Sequence, residues 1–343
     1  MENGQSGLRP DVGDAVKAPP DPHLIVELRT LTPLWTGGID GDCSRGEKES
    51  GILGSLRFWY GGILRAAGFP PCSEKNPCKD DNLCLVCDLF GATGHARRFR
   101  MEVDGLGTRP VHFLVKNKKS GLANKLMDYF PDEKRTARWA PNGFSLTFRP
   151  RAGSFEKWDE YKARILYILA RIADLGGLGA KTQLGFGQVE IDQIESDQSS
   201  DTLELLLASG ESVLAPKPNV PLTNGEFTVA PGRFFSLTVP FTADVEHWIT
   251  IGTEPGKKKG AYKPCAPEIR ELVLQNLSTI PADSFGAPGI TSRIHISHPF
   301  HKAQAEEYSV KIWGDPELAS AGAETEIRTI LQTHHYIQRQ VQE

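Results

Sequence analysis

A glycine-rich segment joins the clearest amphipathic helix pattern of the chain to a strand pattern. Apolar side chains at helical spacing predict the helix over 155–175, and the strand is predicted over 186–191. Five glycines lie in and around the junction, on either side of Lys181 and Gln183. Because glycine adopts positive φ and permits close backbone approach, backbone N–H groups and Lys181 could cradle a polyanion here. A tight structural turn would use the same glycines, so both interpretations stay open at this point.

The order of elements around the glycines excludes two common phosphate-binding motifs. A P-loop requires the order G-x-x-x-x-G-K-[ST], whereas Lys181 and Thr182 here follow Gly179 and precede Gly185. The dinucleotide-binding fingerprint places its glycines after a strand and before a helix, which is the reverse of the order in this chain. A phosphate cradle of another kind is therefore the functional interpretation.

The predicted elements favour an α+β fold of two tandem ferredoxin-like (RRM-like) modules. A strand at 24–31, a helix that starts near Ser50, and strands at 98–103 and 144–149 precede the helix–glycine–strand unit. This order is close to the βαββαβ ferredoxin-like unit with insertions. The second half repeats the order more loosely. Its strands are predicted at 233–241, 291–297 and 308–313, and its helices at 266–277 and 324–341. In the first half, a further strand is predicted at 111–115.

These elements divide the chain into a flexible tail and two modules. Residues 1–23 form the predicted tail, and residues 24–195 form the first module, with a cysteine-rich insertion at 68–90. Residues 196–343 form the second module, which ends in a helix. The chain contains no apolar run of roughly eighteen residues and no secretory signal, so we expect a cytoplasmic protein outside the membrane.

Basic residues form local clusters, although the net charge of the chain is −4. Binding of a polyanion depends on a local patch rather than on total charge, so several clusters together favour RNA or DNA as a partner. Each cluster taken alone is more typical of a solvated loop. The clusters are Arg97, Arg98 and Arg100; Lys116, Lys118 and Lys119; Lys134, Arg135 and Arg138; Arg149 and Arg151; and Lys257, Lys258, Lys259 and Lys263.

Four cysteines within sixteen residues predict a metal centre. Cys72, Cys78, Cys84 and Cys87 lie in a polar segment that could hardly order itself by burying apolar surface. Four thiolates form a closed tetrahedral zinc site, and Cys84 and Cys87 have the C-x2-C spacing usual for such sites, although the first pair is spaced more widely. We therefore expect a structural zinc ion, and a polar insertion with reduced thiols is the alternative.

Several segments, taken together, resemble the RAMP superfamily of CRISPR RNA-binding proteins. The stretch that begins at Leu24 and ends in LTPLWTGG resembles its opening strand and loop, and GILGSLRFWYGG at 51–62 resembles the first-helix signature of one branch. CDLFG at 87–91 and the glycine-rich segment resemble two further superfamily elements. Their order is similar to that of the first-subunit family of Cmr (type III-B) effector complexes. The resemblance extends weakly to FGAPGITSRIHIS at 285–297.

The resemblance implies tandem RRM-like folds, with guide crRNA, target RNA and other RAMP subunits of a type III effector complex as partners. It further implies a subunit in antiviral defence that caps the complex near the 3′ end of the guide. Slicing in this family belongs to backbone subunits that use an aspartate on an extended loop. Asp40 and Asp42 are the nearest formal candidates for such an aspartate, and we expect no catalytic residue.

Ten residues are predicted to contact RNA. Lys181 and Gln183 offer a cation and an amide donor beside the backbone of Gly179. Arg57 lies off the apolar stripe of the first predicted helix and could stack on a base, whereas its neighbour Trp59 lies on that stripe and could equally be core. The other predicted contacts are Arg97, Arg98 and Arg100 around one strand, Lys116 and Lys118 in a loop, and Arg293 in the second module.

Two other functions stay open. An endoribonuclease of the same superfamily would use His95 or Asp42 near the scissile phosphate. A zinc-stabilised scaffold would bind protein neighbours, with the cysteine insertion and the apolar terminal helix as its support. His295 in the second module has no carboxylate at a suitable spacing, so a structural or RNA-facing role is favoured over catalysis.

Overall fold

The structure is a computed structural model with nine strands and five α-helices among its described residues. It describes residues 22–36, 49–66, 69, 71–73, 77–78, 82–110, 136–138, 143–180, 182–197, 235–240, 265–278, 294–297, 300, 302, 309–314 and 322–333. The elements are β1 (Leu24–Thr30), α1 (Glu49–Ala66), α2 (Leu85–Phe90), β2 (Phe99–Asp104), β3 (Thr108–Pro110), β4 (Thr136–Arg138), β5 (Phe144–Pro150), α3 (Trp158–Leu175), β6 (Val189–Ser196), β7 (Phe235–Pro240), α4 (Cys265–Asn276), β8 (Ile294–Ile296), β9 (Ser309–Gly314) and α5 (Ala323–Thr333). Short 3-10 helices cover Phe155–Lys157 and Thr182–Leu184.

Four antiparallel strands form the larger sheet in the order β2-β5-β1-β6. Helix α1 lies between β1 and β2 along the chain, and helix α3 lies between β5 and β6. These six elements follow the β-α-β-β-α-β order predicted for the first module. Helix α2 and the β3–β4 pair are inserted into that order.

Alternating burial explains why these segments form strands. In β1, Leu24, Val26 and Leu28 are buried in the core, while the residues between them are partly exposed. β5 has the same pattern. The predicted apolar faces of α1 and α3 are confirmed, and both helices share one core cluster with the sheet. The buried residues on these predicted faces include Ile52, Leu56, Trp59 and Ile63 in α1, and Trp158, Tyr161, Ile165, Ile168, Leu169 and Ile172 in α3.

The last strand of the first module begins and ends later than predicted. Regular pairing of β6 with β1 starts where Thr30 lies opposite Val189, so residues 186–188 precede the strand. The carbonyl of Gln188 instead accepts the N–H groups of Leu31 and Thr32 at 2.8 and 3.3 Å. The strand continues to Ser196, the residue at which the sequence predicted the second module to begin, because its pairing with β1 extends to Leu24.

The second half contains a three-stranded antiparallel sheet in the order β7-β9-β8, with helices α4 and α5 packed in the same small core. The helix predicted at 266–277 and the strands predicted near 233–241, 291–297 and 308–313 are present. A complete second βαββαβ unit stays a prediction, because the described part of this half has three strands. Among the described residues, no helix combines the length and apolarity needed to cross a bilayer.

Candidate metal centre and basic groove

The glycine-rich segment is folded against the loop that follows β1, and much of its backbone hydrogen bonding is internal. The Ala180 N–H donates to the Trp35 carbonyl at 2.8 Å, and the Gly187 N–H donates to the Pro33 carbonyl at 2.9 Å. A Cβ on Gly187, where φ is +85°, would lie 2.0 Å from the carbonyl oxygen of Leu178. Glycine is therefore required here by the close approach of two backbone segments.

Gly179, a predicted RNA contact, belongs to the same internal arrangement. Its N–H donates to the hydroxyl of Ser55 on α1 at 2.9 Å. Its φ is +85°, and a Cβ would lie 2.7 Å from the carbonyl oxygen of Trp35. Because the N–H of Gly179 already has an acceptor, the phosphate cradle expected at this position is not formed by that donor.

Trp59 accounts for the first glycines of the segment. Its side chain is only 5% exposed, and its Nε1 donates to the Gly177 carbonyl at 2.9 Å. A Cβ on Gly176 would lie 1.8 Å from the Trp59 ring. Trp59 is thus a core residue, and the structural-turn interpretation explains the glycines around it.

The glycine-rich segment also contacts the second sheet. The Thr182 hydroxyl and His295 Nδ1 are 2.9 Å apart, and the His295 ring stacks on Trp313 with centroids 5.3 Å apart. Lys311 Nζ donates to the Ala173 carbonyl in the last turn of α3 at 2.6 Å. Of the two roles predicted for His295, these contacts support the structural one.

The four cysteines predicted to bind metal lie together. The Sγ atoms of Cys72, Cys78, Cys84 and Cys87 are all within 4.8 Å of one another. A tetrahedral zinc ion with bonds of about 2.3 Å would separate its sulfur ligands by about 3.8 Å. The Cys72 and Cys87 sulfurs are 3.5 Å apart, and the Cys84 N–H donates to Cys78 Sγ at 3.2 Å. The donor set and its spacing therefore fit a four-coordinate metal ion with sulfur ligands.

Burial and crowding determine how readily these thiols ionise. Burial raises the pKa of Cys87, and the neighbouring thiols raise it further. Burial also raises the pKa of Cys78. Burial acts in the same direction on Cys84 and is the largest single cause there. Backbone hydrogen bonds from Cys72 and Cys87, together with side-chain hydrogen bonds from Cys78 and Cys87, outweigh it and lower the pKa of Cys84. Since a bound metal needs thiolates, metal binding here would release protons.

Four arginines line one groove of about 400 Å³ at the start of β2. Arg97, Arg98 and Arg100 were predicted to contact RNA, and the groove brings all three together. Arg151 joins them from the end of β5, because its N–H donates to the Arg98 carbonyl at 2.9 Å. None of the described lining residues is a carboxylate. The remaining lining residues are Gly94, His95, Ala96, Ala152 and Ser154.

Two of these arginines are held from behind by carboxylates. Asp88 Oδ1 accepts hydrogen bonds from Arg98 Nε at 2.9 Å and Arg98 Nη2 at 2.6 Å. The hydrogen bond to Asp88 raises the pKa of Arg98, so Arg98 stays charged. Arg97 Nη2 lies 3.4 Å from Glu49 at the start of α1, whereas Arg100 is exposed on β2. The groove thus combines positioned and exposed cations.

The open face of the larger sheet differs from the stacking surface of an RNA-recognition module. Two of its cations are paired: Arg29 Nη2 lies 2.5 Å from Glu190, and Arg149 Nη1 lies 2.9 Å from Glu102. Arg100 alternates to the same face of β2 and lines the groove. The described strands of this sheet place no aromatic side chain on that face, because Phe99, Phe144 and Phe148 are all buried. An aromatic surface for RNA must therefore come from elsewhere in the module.

The other predicted RNA contacts lie apart from the groove or outside the described residues. Arg57 Nη1 donates to the Gly91 carbonyl at 2.6 Å, and its Nη2 donates to Cys87 Sγ at 3.5 Å. Arg57 therefore braces the cysteine cluster. Gln183 is partly exposed beside Thr182. The assignment of Arg57 and Gln183 to RNA stays a prediction. Lys116, Lys118, Lys181, Arg293, Asp40 and Asp42 lie outside the described residues.

Sequence reasoning missed two residues that form or support the groove and one exposed aromatic residue that follows it in the sequence. Arg151 was noted only as part of a basic cluster, although its position directly after a predicted strand was a usable signal. Asp88 follows Cys87 and gave no signal, because its partner Arg98 is ten residues away. Phe155 follows the groove residue Ser154 and is 56% exposed, a large value for an aromatic side chain.

The β-α-β-β-α-β order, the four-stranded antiparallel sheet and the arginine groove beside it define an α+β protein. Residues 27–190 match the model of the RAMP superfamily. This segment spans almost all of the first module, and it is therefore similar to the RAMP superfamily. Among curated proteins, none matches the sequence.

Two solved structures are similar to this chain at low sequence identity. The crystal structure of Cmr1 from Pyrococcus furiosus in the apo form is 13% identical with a TM-score of 0.44, and the match covers 85% of this chain and 87% of that chain. A chain in the cryo-EM structure of the Type III-B Cmr-beta bound to cognate target RNA is 11% identical with a TM-score of 0.47, covering 91% of this chain and 100% of that chain.

Proposed function

We propose that this protein is a non-catalytic RNA-binding subunit of a type III CRISPR ribonucleoprotein effector. In this role it contacts guide crRNA and target RNA, associates with other RAMP subunits, and caps the complex near the 3′ end of the guide. The observation that carries the proposal is the groove lined by four arginines within the RAMP segment. The capping position rests on the motif resemblance alone.

The chemistry of the groove suits an RNA backbone. A guanidinium is always charged and presents a planar fork of donors that matches a phosphate. Arg98 uses Nε and Nη2 for Asp88, and a guanidinium carries five N–H donors, so capacity for a phosphate is left. Since the described lining has no carboxylate, an anion entering the groove meets no opposing charge there.

Phe155 makes a single strand the better ligand than a duplex. Proteins that bind single strands combine a basic groove with exposed aromatic side chains on which bases stack. Phe155 is 56% exposed and directly follows Ser154, which lines the groove. An unpaired base of an RNA strand in the groove can stack on this ring, whereas bases in a helix cannot.

We infer that zinc occupies the cysteine cluster as a structural ion. Four sulfur ligands within 4.8 Å of one another leave no open position for a substrate. The purified protein should carry about one equivalent of zinc, as a closed four-ligand site requires. A folded protein that takes up no zinc would contradict this assignment.

Binding of a labelled single-stranded RNA, followed by fluorescence anisotropy, tests the proposal. The variant Arg100→Gln/Arg151→Gln should weaken binding by roughly tenfold per arginine. It should also reduce the slope of log affinity against log salt by about 0.7 for each lost contact. Arg29→Gln is the matched control, because Arg29 is a paired cation on the open sheet face. Equal losses in control and groove variant would contradict the assignment.

Two exposed phenylalanines provide a matched test of base stacking on Phe155. Phe155→Ala should weaken binding by about 1–3 kcal/mol per stacked base. Phe58 is 58% exposed and lies on α1 about 180° around the helix axis from Glu49. Phe58→Ala should therefore leave the affinity unchanged. The same loss in both variants would show that the effect comes from general surface apolarity.

An endoribonuclease is the second candidate, and one observation favours it. His95 lines the groove where a phosphate would lie. Acid–base cleavage usually requires a second proton-transfer group, and the described lining offers only arginines and Ser154 beside it. RNA incubated with excess protein should therefore stay intact. Cleavage that is lost in His95→Ala would move this candidate ahead of the first.

A further inference from the structure

We propose that metal binding at the cysteine cluster sets the affinity of the arginine groove for RNA, with helix α2 as the mechanical link. The proposal rests on the proposed function and deepens it, because it assigns a regulator to the same groove. Three sets of contacts carry it: those at the start of α2, those along α2, and those at its end.

The start of α2 is built from metal ligands. Cys84 is the N-cap residue of this six-residue helix and makes no side-chain capping bond to it. The Asp88 N–H donates to the Cys84 carbonyl at 2.8 Å, and Cys87 lies inside the helix. A helix this short has no stability of its own in water, since nucleation costs more than one turn returns. A metal held by Cys84 and Cys87 would fix its first turn.

The middle of α2 holds one wall of the groove. Asp88 binds Arg98 through two hydrogen bonds of 2.9 and 2.6 Å, and its other oxygen lies 3.5 Å from Arg164 on α3. The Arg98 N–H also donates to the Leu89 carbonyl at 3.1 Å. Both the main chain and the side chain of Arg98 are thus positioned by residues that directly follow the ligand Cys87.

The end of α2 turns straight into the groove. The Gly91 N–H donates to the Cys87 carbonyl at 2.9 Å, and Arg57 donates to both the Gly91 carbonyl and Cys87 Sγ. Gly91 has φ of +84°, and a Cβ there would lie 2.8 Å from the N atom of Arg97 and the carbonyl oxygen of His95. The ligand cysteine, the brace and the groove wall therefore form one tightly packed turn.

The physical consequence is preorganisation. When α2 is fixed, the guanidinium of Arg98 is oriented before RNA binds. The entropic cost of ordering it therefore does not reduce the binding free energy. Without the ion, the four thiols, of which that of Cys87 is buried, lose their common partner, and RNA binding must also order α2 and Arg98. Because linkage is reciprocal, RNA must then strengthen zinc binding by the same factor.

The experiment measures RNA affinity for the full-length protein with zinc bound and after removal of zinc by a chelator. We expect removal to weaken binding about tenfold, within the usual range of coupling between two sites. Arg98→Gln should weaken binding of the zinc-loaded protein and leave little further effect of zinc removal. Arg100→Gln is the matched control, since Arg100 lines the groove from β2 and pairs across the sheet with Arg149. It should weaken both forms equally.

Equal RNA affinity with and without zinc would overturn the proposal and leave the RNA-binding function standing. Absence of RNA binding in the zinc-loaded protein would instead refute the proposed function. Amide hydrogen exchange, which does not depend on RNA binding, tests separately whether α2 links the metal cluster to Arg98. Zinc removal should speed exchange at Asp88 and Arg98 and leave the paired amides of β1 and β5 protected. Loss of protection throughout the sheet would show that the metal stabilises the whole module, which would also overturn the specific link.

Discussion

The glycine-rich segment and the arginine groove both resemble RNA sites in the sequence, yet the structure uses them differently. In the glycine-rich segment, donors of Gly179, Ala180 and Gly187 are bound to acceptors elsewhere in the protein. In the groove, four guanidiniums line an open space of about 400 Å³. These polar groups of the glycine-rich segment hydrogen-bond to other parts of the protein, whereas the guanidiniums of the groove line an open space.

The comparison shows what glycine density means in this chain. Gly176, Gly179 and Gly187 are each required because a side chain or a carbonyl group of another residue already lies where their Cβ would be. Gly94 beside the groove has φ of +83° but nothing within 4 Å of a Cβ. Glycines that exclude a Cβ indicate packing, whereas an open glycine turn next to cations leaves room for a ligand.

The largest expected effect tests the structural side of the comparison. Gly187→Ala should lower the free energy of unfolding by at least about 4 kcal/mol, because a Cβ strikes the Leu178 carbonyl and φ is positive. Gly322 is the control: its φ is +70°, but its surroundings are open. Gly322→Ala should cost only about 1–2 kcal/mol. Urea unfolding measures both, and similar losses would contradict the steric explanation.

Trp59→Phe should give the next largest loss, about 2–3 kcal/mol, because it leaves the buried Gly177 carbonyl without its donor. Tyr60 is the matched control, since its hydroxyl is buried and has no hydrogen-bond partner among the described residues. Tyr60→Phe should be neutral or slightly stabilising. Both variants should bind RNA as the parent protein does. A selective loss of RNA affinity in Trp59→Phe would show that Trp59 contacts RNA, and it would contradict its assignment to the core.

Lys311 makes the contact between the second sheet and α3 dependent on pH. Burial, with a smaller contribution from Lys302, lowers the pKa of Lys311 to about 8 against an ordinary 10.5, while Asp174 opposes the shift. Between these two values the unfolded chain holds a proton that the folded chain lacks. Stability should therefore rise with pH across this window, and the charged amine should be a cost below it.

Lys311→Met should consequently stabilise the protein at pH 7 by about 1–3 kcal/mol and flatten this rise. Lys162→Met is the contrasting control, because Lys162 is fully buried but paired with Asp197 at 2.7 Å. Removing it leaves a carboxylate without its partner and should be destabilising. Thermal unfolding from pH 7 to 10 measures both variants. A pH profile unchanged by Lys311→Met would contradict the lowered pKa.

The sequence was sufficient for the first module because its elements have strong local patterns. The bounds of strand β1 were predicted within one residue and those of helix α3 within three, since burial alternates in the strand and recurs at helical spacing in the helix. The start of β6 was predicted three residues too early, because it is fixed by the pairing of Val189 with Thr30, which lies far away in the sequence.

In the candidate sites too, features set by local sequence were predictable, whereas features set by contacts between distant segments were not. The cysteine cluster was predictable because ligand type and spacing are local, and three groove arginines were predictable as one basic cluster. The contribution of Arg151 depends on β2 lying beside β5, and the role of Asp88 depends on a partner reached through a turn. Arg57 shows the opposite case, because its local sequence favoured RNA while its contacts lie at Gly91 and Cys87.

Gln183 gives the smallest expected effect and the sharpest test of the comparison. It is the one predicted RNA contact of the glycine-rich segment that combines a described position with a partly exposed side chain. A neutral amide contributes about 0.5–1.5 kcal/mol per hydrogen bond, so Gln183→Ala should weaken RNA binding by only a few-fold and leave the salt dependence unchanged. The groove variant Arg100→Gln should lose more and also change the salt slope. If Gln183→Ala instead exceeded the groove variant, the glycine-rich segment would be the principal RNA site, and its internal hydrogen bonds would serve to shape that site.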